Sequence, residues 1–294
     1  MRTLGVLAVI ALALAPSPSP DDLDQRVAAD QAVTAGRAEL GAGHVDIGPR
    51  YHDGEWTVLV HDDTVVPPVW RSPRDAVIRV PDAAVQKVPD DPAYAFLDQE
   101  PGTPVHVIPQ TQDPDVVWVG WNTQDPGVMD AVARGVTMSL LGVQGPGDLT
   151  VFLQSGSLGA PDVLWNSRQP YPQPVWVETN THTHANWVFA RPGVYLATVE
   201  FAAELAGGET VTAREVLRFA VGDRTTADAA FAAAFTNPLP SAVAPDSETD
   251  PPERGPSVLT AGVAVAAAAV AAGLVWVGWR GRRVRRRAER EQQP

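Results

Sequence analysis

The chain contains no cysteine, and its 35 Asp and Glu residues outnumber its 22 Lys and Arg residues, giving a net charge of −13 at pH 7. The absence of cysteine excludes disulfide bonds, thiolate metal ligands and a cysteine nucleophile. The folded part must therefore be stabilised by burial of a hydrophobic core, for which a chain of 294 residues is long enough. The acidic balance argues against nucleic acid as a partner, because phosphates are bound by clustered basic side chains.

Common catalytic motifs are lacking as well. The sequence contains neither a nucleophile elbow nor a phosphate-binding loop, and no pair of carboxylates is marked out by its spacing. These absences indicate a protein that is not an enzyme. A hydrolase that uses paired Asp or Glu residues is the less favoured alternative.

Residues 1–20 are predicted to be a secretory signal peptide. Arg2 precedes an apolar run over residues 4–15, which is shorter than a membrane-spanning helix and is followed by Pro16, Pro18 and Pro20. An uncleaved short anchor is the alternative interpretation. Residues 21–40 then form a leader of the mature chain, either as a short helix or as a loose segment, since no firm helix cap is present.

The C-terminal end of the chain predicts a membrane anchor. Residues 258–279 carry no charge and would span about 33 Å as a helix, close to the thickness of the hydrocarbon core. Seven arginines follow within residues 280–294, which favours a cytoplasmic tail over a nucleic-acid patch. Residues 224–257, rich in Pro, Ala and acidic side chains, are predicted to be a stalk. Together these patterns predict a single-pass protein of the cell membrane with an extracellular N-terminal domain.

Residues 41–223 are predicted to fold as an all-β, immunoglobulin-like β-sandwich. Short runs rich in Val, Leu, Ile, Trp and Tyr recur between clusters of turn-forming residues, and no long amphipathic helix is evident. In residues 187–201, one strand leads to Pro192-Gly193, where a turn is predicted to reverse the chain into a second strand. The predicted strands are 44–47, 56–61, 76–80, 105–108, 116–119, 136–143, 149–154, 187–190, 194–200 and 216–221.

Four of the six histidines fall in two short motifs. His182 and His184 flank Thr183, so their imidazoles point to one side if the segment is extended. Residues 44–47 and 58–63 flank a turn-prone stretch that ends in Asp53-Gly54, and they are predicted to pair as a β-hairpin. The apolar face of this hairpin turns to the core, and the opposite face carries four polar residues: His44, Asp46, His61 and Asp63.

Imidazole and carboxylate groups together suit a divalent cation of borderline or hard character, and zinc or manganese is the predicted metal. One shared site requires that the hairpin lie beside His182 in the fold. The predicted ligands are His44, His61, His182 and His184, with Asp46 or Asp63 assisting. In the alternative interpretation, these residues form only the solvated side of an edge hairpin.

The tryptophans allow two interpretations. They can fill the core, which is the more common use, or they can form a platform on which carbohydrate stacks. The second interpretation leads to an alternative function, in which the chain is a structural or adhesive surface module that binds glycans and has no metal role. The tryptophans concerned are Trp118, Trp121, Trp165, Trp176 and Trp187.

Several motifs resemble those of one family. They are Gly43-His44-Val45-Asp46, Val60-His61-Asp62-Asp63, Phe96-Leu97, Pro109-Gln110, Trp118-Val119-Gly120-Trp121, Gly145-Pro146-Gly147, His182-Thr183-His184-Ala185-Asn186-Trp187 and Pro192-Gly193-Val194-Tyr195. Over residues 41–222 they are similar to the actinobacterial surface-anchored domain family, known as choice-of-anchor M or ABC-transporter-associated surface proteins. The most specific of them is the segment that begins at His182.

The resemblance implies an extracytoplasmic protein with a C-terminal anchor, of a kind often encoded beside an ABC transporter of the metal-import type. The expected function is then capture of a divalent metal or other solute at the membrane surface, with components of the transporter as possible partners. The single lysine, Lys87, agrees with the high-GC genome of an actinobacterium.

Overall fold

The computed structural model describes residues 27–155 and 160–239; the predicted signal peptide, transmembrane segment and arginine-rich tail lie outside these ranges. The described residues form sixteen strands and two short α-helices. The strands are β1 (Ala38–Leu40), β2 (His44–His52), β3 (Glu55–Asp62), β4 (Val69–Arg71), β5 (Ala76–Val80), β6 (Val85–Lys87), β7 (Pro104–Ile108), β8 (Trp118–Asn122), β9 (Val132–Gln144), β10 (Leu149–Leu153), β11 (Asp162–Asn166), β12 (Gln173–Glu178), β13 (His182–His184), β14 (Asn186–Phe189), β15 (Gly193–Leu205) and β16 (Thr210–Val221). The helices are α1 (Pro126–Ala131) and α2 (Ala227–Ala232), and 3-10 turns lie at Asp82–Ala84 and Pro92–Leu97.

The strands form three sheets, so the all-β prediction is confirmed. Sheet I has the order β1-β5-β16-β15-β9-β12, sheet II the order β11-β10-β14-β7-β6, and sheet III the order β13-β8-β2-β3-β4. The pairs β1–β5, β5–β16 and β2–β8 are parallel, and the other strand pairs are antiparallel. Within the described ranges, no helix has the length and apolar character needed to cross a membrane.

All three sheets contribute to one principal core. Phe201 of sheet I, Ile108 of sheet II and Val60 of sheet III belong to the same cluster of buried side chains. The long antiparallel strands β9, β15 and β16 are the largest contributors, because alternate residues along them point inward. On β15 these inward residues are Tyr195, Ala197, Val199, Phe201 and Ala203.

Strands β2 and β3 form the predicted hairpin. Its two-residue turn is Asp53-Gly54, with φ values of 52° and 82°, the left-handed conformation that suits the twist of a tight hairpin. Val45 and Ile47 turn to the core, as do Val58 and Val60 of β3. The opposite face of β2 therefore carries His44 and Asp46.

The Pro192-Gly193 turn joins two sheets and does not form a hairpin. β14 lies in sheet II and β15 in sheet I, so the turn carries the chain from one sheet to the other. The Tyr195 hydroxyl donates a hydrogen bond to the Arg191 carbonyl at 2.8 Å and accepts one from the Arg191 N–H at 3.2 Å. Its ring packs edge-on against Phe189, with centroids 5.0 Å apart. The turn is thus fastened to the core by one buried tyrosine.

The folded domain extends further at both ends than residues 41–223. At the N-terminal end, Val27 and Val33 pack on Trp70 of β4, so the described part of the leader belongs to the domain. At the C-terminal end, Ala230 of α2 is buried against Val77 and Ala220. The chain then continues along β9, where Gln144 accepts a hydrogen bond from the Thr236 N–H at 2.9 Å. Residues 224–239, predicted as the start of the stalk, are therefore packed on sheet I.

The tryptophans differ in their surroundings. Trp121, Trp165 and Trp187 are 3%, 1% and 1% exposed and belong to the core, as the preferred interpretation predicts. Trp176 on β12 is 53% exposed, with the Arg134 guanidinium over its ring. Trp118 lies against the rings of His44 and His184. The five residues are therefore too dispersed to form one stacking platform.

Replacing Tyr195 with Phe tests the role of its hydroxyl at the turn. Since the change removes the hydrogen-bond partner of both Arg191 backbone groups, it is expected to lower the free energy of unfolding by about 1 kcal/mol. Tyr94→Phe is the control, because the hydroxyl of this half-buried residue bonds only the Gln154 side chain. Urea unfolding measures both. Equal losses for the two variants would contradict the assigned role.

Candidate metal site

The candidate site spans three neighbouring strands of sheet III. β8 lies between β2 and β13, and Gly120 at its centre is the register partner of both Asp46 on β2 and His184 on β13. His44 lies opposite Trp118, and His182 lies opposite Asn122. Because Gly120 has no side chain, the flanking side chains meet above β8 on the face that points away from the core.

The three imidazoles form a nearly equilateral triangle. The Nε2 atom of His44 is 3.1 Å from that of His182 and 3.0 Å from that of His184, and the latter two are 3.0 Å apart. The carboxylate of Asp46 lies below, with Oδ1 at 3.2 Å from the His182 Nε2, 3.5 Å from that of His44 and 3.9 Å from that of His184. These residues form a group whose ligand atoms all lie within 4.8 Å of one another. The group could hold a metal ion.

The four atoms approximate a tetrahedron of the size that zinc requires. Its six edges run from 3.0 to 3.9 Å. A regular tetrahedron with their mean edge of about 3.3 Å has its centre about 2.0 Å from each corner, which is the length of Zn–N and Zn–O bonds. The strand register thus brings the four ligand atoms to coordination distance.

Hydrogen bonds among the three nitrogens cannot satisfy all three contacts of the triangle. Each Nε2 atom either carries a proton or presents a lone pair, so at least two of the three must be alike. At least one contact of 3.0–3.1 Å therefore sets N–H against N–H or lone pair against lone pair. A cation at the centre removes this conflict, because all three nitrogens then point lone pairs at it.

The electrostatics of the site favour a positive ion at its centre. Burial would raise the pKa of Asp46, yet hydrogen bonds with His182 and His44 hold it well below its usual value, so this fully buried carboxylate is ionised. Burial lowers the pKa of His184 to about 4, despite the attraction of Asp46, so its imidazole is neutral at pH 7. Burial also opposes the charge on His44, but hydrogen bonds with Asp46 and Asp63 outweigh this and raise its pKa to about 9.

Other side chains orient three of the four ligands. The His44 Nδ1–H donates to Asp63 Oδ2 at 2.7 Å, which directs Nε2 into the site. The Asn122 Nδ2–H donates to Asp46 Oδ2 at 3.3 Å. The Trp118 indole stacks on the His184 imidazole with centroids 3.6 Å apart and an interplanar angle of 8°.

Two of the six predicted ligands lie outside the group of four. Asp63 contacts the Nδ1 atoms of both His44 and His61, the latter at 3.3 Å, and the Nε2 atom of His61 is occupied by Gln31 at 3.0 Å. The reason is the strand order: β3 lies on the side of β2 away from β8, so His61 shares the face but not the centre. We assign His61 and Asp63 to an outer sphere. Of the two carboxylates considered, Asp46 is the one placed among the ligands.

Sequence reasoning did not assign Trp118, Gly120, Asn122 and Gln31 to the site. The first two stand in the Trp118-Val119-Gly120-Trp121 motif, whose alternation puts Trp118 and Gly120 on one face. No sequence signal connects Gln31 with the histidines.

Comparison of the chain with models of protein families, with curated proteins and with solved structures gives no match.

Replacing Gly120 with Ala tests how tightly the site is built. The added Cβ would lie 2.6 Å from the Thr183 carbonyl oxygen and 2.7 Å from Asp46 Oδ1, so backbone as well as side chains must move. The expected loss in the free energy of unfolding of the metal-free protein is about 1–3 kcal/mol. Gly207→Ala is the matched control, because a Cβ there has no neighbour within 4 Å. Equal unfolding curves for the two variants would refute the close approach.

Proposed function

We propose that this protein is a membrane-anchored extracytoplasmic binding protein that captures a divalent metal ion, in association with an ABC transporter. The observation that carries the proposal is the set of three Nε2 atoms and one carboxylate oxygen arranged around a common point at bonding distance. The anchor, the transporter and the immunoglobulin-like character of the domain rest on the sequence and on the family resemblance. The fastening of the Pro-Gly turn by Tyr195 supports the last of these, since similar tyrosine corners occur in immunoglobulin-like sandwiches.

Of the two predicted metals, the site favours zinc. Three imidazoles and one carboxylate in a compact tetrahedron match the ligand types and geometry of zinc sites. Manganese prefers six ligands that are mostly oxygens. Only Asp46 supplies oxygen atoms in this group.

The arrangement suits reversible binding better than catalysis. Catalytic zinc sites have three protein ligands and leave the fourth position to water or substrate, whereas here four protein ligands complete a tetrahedron. A purely structural ion is also disfavoured, because the three strands are already joined by their hydrogen bonds and by the core. The His44 and His182 side chains are 15% and 21% exposed, so an ion can reach the site from solvent.

Alanine variants of the ligands provide the principal test. We expect the metal-free full-length protein to bind one zinc ion in calorimetric titration, and His182→Ala or His184→Ala to weaken this binding by about 100-fold each, the share of one ligand in a four-ligand site. His52→Ala is the matched control, because His52 lies at the end of the β2–β3 hairpin, where Asp53 is its ion-pair partner.

Several results would contradict the proposal. One is the absence of saturable zinc binding, and another is zinc binding that is unchanged in both ligand variants. Circular dichroism of the metal-free variants shows whether the fold is retained, so that a loss of binding can be assigned to the missing ligand. Glycan binding that survives replacement of the histidines would instead support the structural or adhesive module.

Zinc affinity is expected to rise with pH. Since His44 has a pKa of about 9, it is protonated on both nitrogens at pH 7, and the metal must displace the Nε2 proton. His184, with a pKa of about 4, contributes no proton. The dissociation constant should therefore fall by about tenfold per unit between pH 7 and 8.5. Calorimetry at pH 7 in buffers of different ionisation enthalpy should show release of close to one proton, and a pH-independent affinity would contradict this.

A further inference from the structure

Residues 27–34, here called the N-terminal strap, lie against sheet III beside the metal site. The strap is hydrogen-bonded along β4: the Trp70 N–H donates to the Ala32 carbonyl and the Thr34 N–H donates to the Trp70 carbonyl, both at 2.8 Å. The Arg50 guanidinium donates to the Ala29 carbonyl at 2.8 Å. Val27 and Val33 pack on Trp70 and Leu59. The strap is thus an ordered part of the domain.

Gln31 is the strap residue that reaches the histidines. Its Oε1 atom lies 3.2 Å from the Trp70 Nε1 and 3.0 Å from the His61 Nε2. An indole N–H can only donate, so the atom of Gln31 that faces both rings is the amide oxygen. His61 must then donate its Nε2–H to the same oxygen. One amide oxygen therefore fixes the orientation of His61, whose ring also packs against Trp70 with centroids 4.7 Å apart.

His61 in turn borders the carboxylate that orients a metal ligand. Its Nδ1 atom lies 3.3 Å from Asp63 Oδ1, and the other oxygen of Asp63 accepts the His44 Nδ1–H at 2.7 Å. His61 is fully buried, so its ring cannot move without displacing Asp63 or the strap. A continuous series of contacts therefore runs from Gln31 through His61 and Asp63 to His44.

We infer that Gln31 is a positioning residue of the metal site, and that attachment of the N-terminal strap and binding of the metal stabilise each other. The inference rests on the proposed function and deepens it, because it identifies a part of the chain that regulates affinity without contributing a ligand. Outer-sphere partners of metal-binding histidines fix the direction of the imidazole, and their loss commonly lowers metal affinity by about 10–100-fold. Coupling of this kind is reciprocal by thermodynamic necessity.

Zinc titration of full-length variants tests the first half of the inference. Gln31→Leu keeps the approximate size of the side chain but removes the acceptor, and it is expected to raise the zinc dissociation constant by about tenfold or more. Gln31→Glu retains an acceptor for both rings and should restore affinity to within about threefold of the unaltered protein. Gln86→Leu is the matched control, since Gln86 is exposed on β6 in sheet II.

Hydrogen exchange of the strap tests the reciprocal half. In the unaltered protein, saturating zinc should slow hydrogen exchange of the Thr34 and Trp70 amides. In the Gln31→Leu variant, the protection that zinc gives these amides should be smaller, by a factor comparable to the change in zinc affinity. Urea unfolding of the metal-free variants measures the stability that is lost with the two hydrogen bonds of Gln31. Tyr195→Phe, which lowers stability away from the site, should leave the zinc affinity unchanged if Gln31→Leu acts through the coupling and not through a general loss of stability.

The outcomes separate this inference from the proposed function. If the unaltered protein binds zinc and Gln31→Leu binds it within twofold of the same affinity, the positioning role is refuted and the proposed function stands. If zinc slows exchange only in β2, β8 and β13 and leaves the strap unaffected, the coupling is refuted. If the unaltered protein does not bind zinc, the proposed function fails and the inference fails with it.

Discussion

The hydrogen bonds that hold β8 between β2 and β13 are the constraint on which the candidate site depends. The ligands come from two strands that are not neighbours in the sheet, and two strand spacings amount to about 10 Å. Imidazole and carboxylate side chains close this distance only because Gly120 leaves the position between them empty. The parallel register of β2 and the antiparallel register of β13 then place His44, Asp46, His182 and His184 around one point. The site is therefore built on backbone that is fixed by sheet pairing.

The sequence could predict which residues share a face but not which strands are neighbours. The period of two in a strand placed His182 with His184, and the Asp53-Gly54 turn placed His44 and Asp46 on the polar face of a hairpin. Whether those two faces meet depends on β8, which pairs with partners 60 or more residues away on either side. The same limit explains His61, which has the correct face but lies on the far side of β2.

The fold was predicted best where apolar residues alternate with other residues over a long stretch of the chain. Each of the ten predicted strands overlaps an observed strand, whereas short edge strands such as β1, β4 and β6 have only three residues each and carry no periodic signal. The extent of the domain was underestimated for a different reason. Alanine contributes little to a hydrophobic pattern, yet the small side chains of α2 let that helix lie directly on Ala220. Contacts such as the stacking of Trp118 on His184 depend on side-chain geometry that no sequence pattern contains.

The empty position at Gly120 also bears on how such a site arises and disappears during evolution. Any other residue there would place its Cβ against Asp46 and the Thr183 carbonyl, so one codon change would close the site even if all four ligands were retained. Conversely, a domain with this sheet order and a glycine at this position needs only side-chain replacements on β2 and β13 to acquire an ion site. Among descendants of a common ancestor, glycine at the position of Gly120 would therefore be a more discriminating marker of this candidate site than any single histidine.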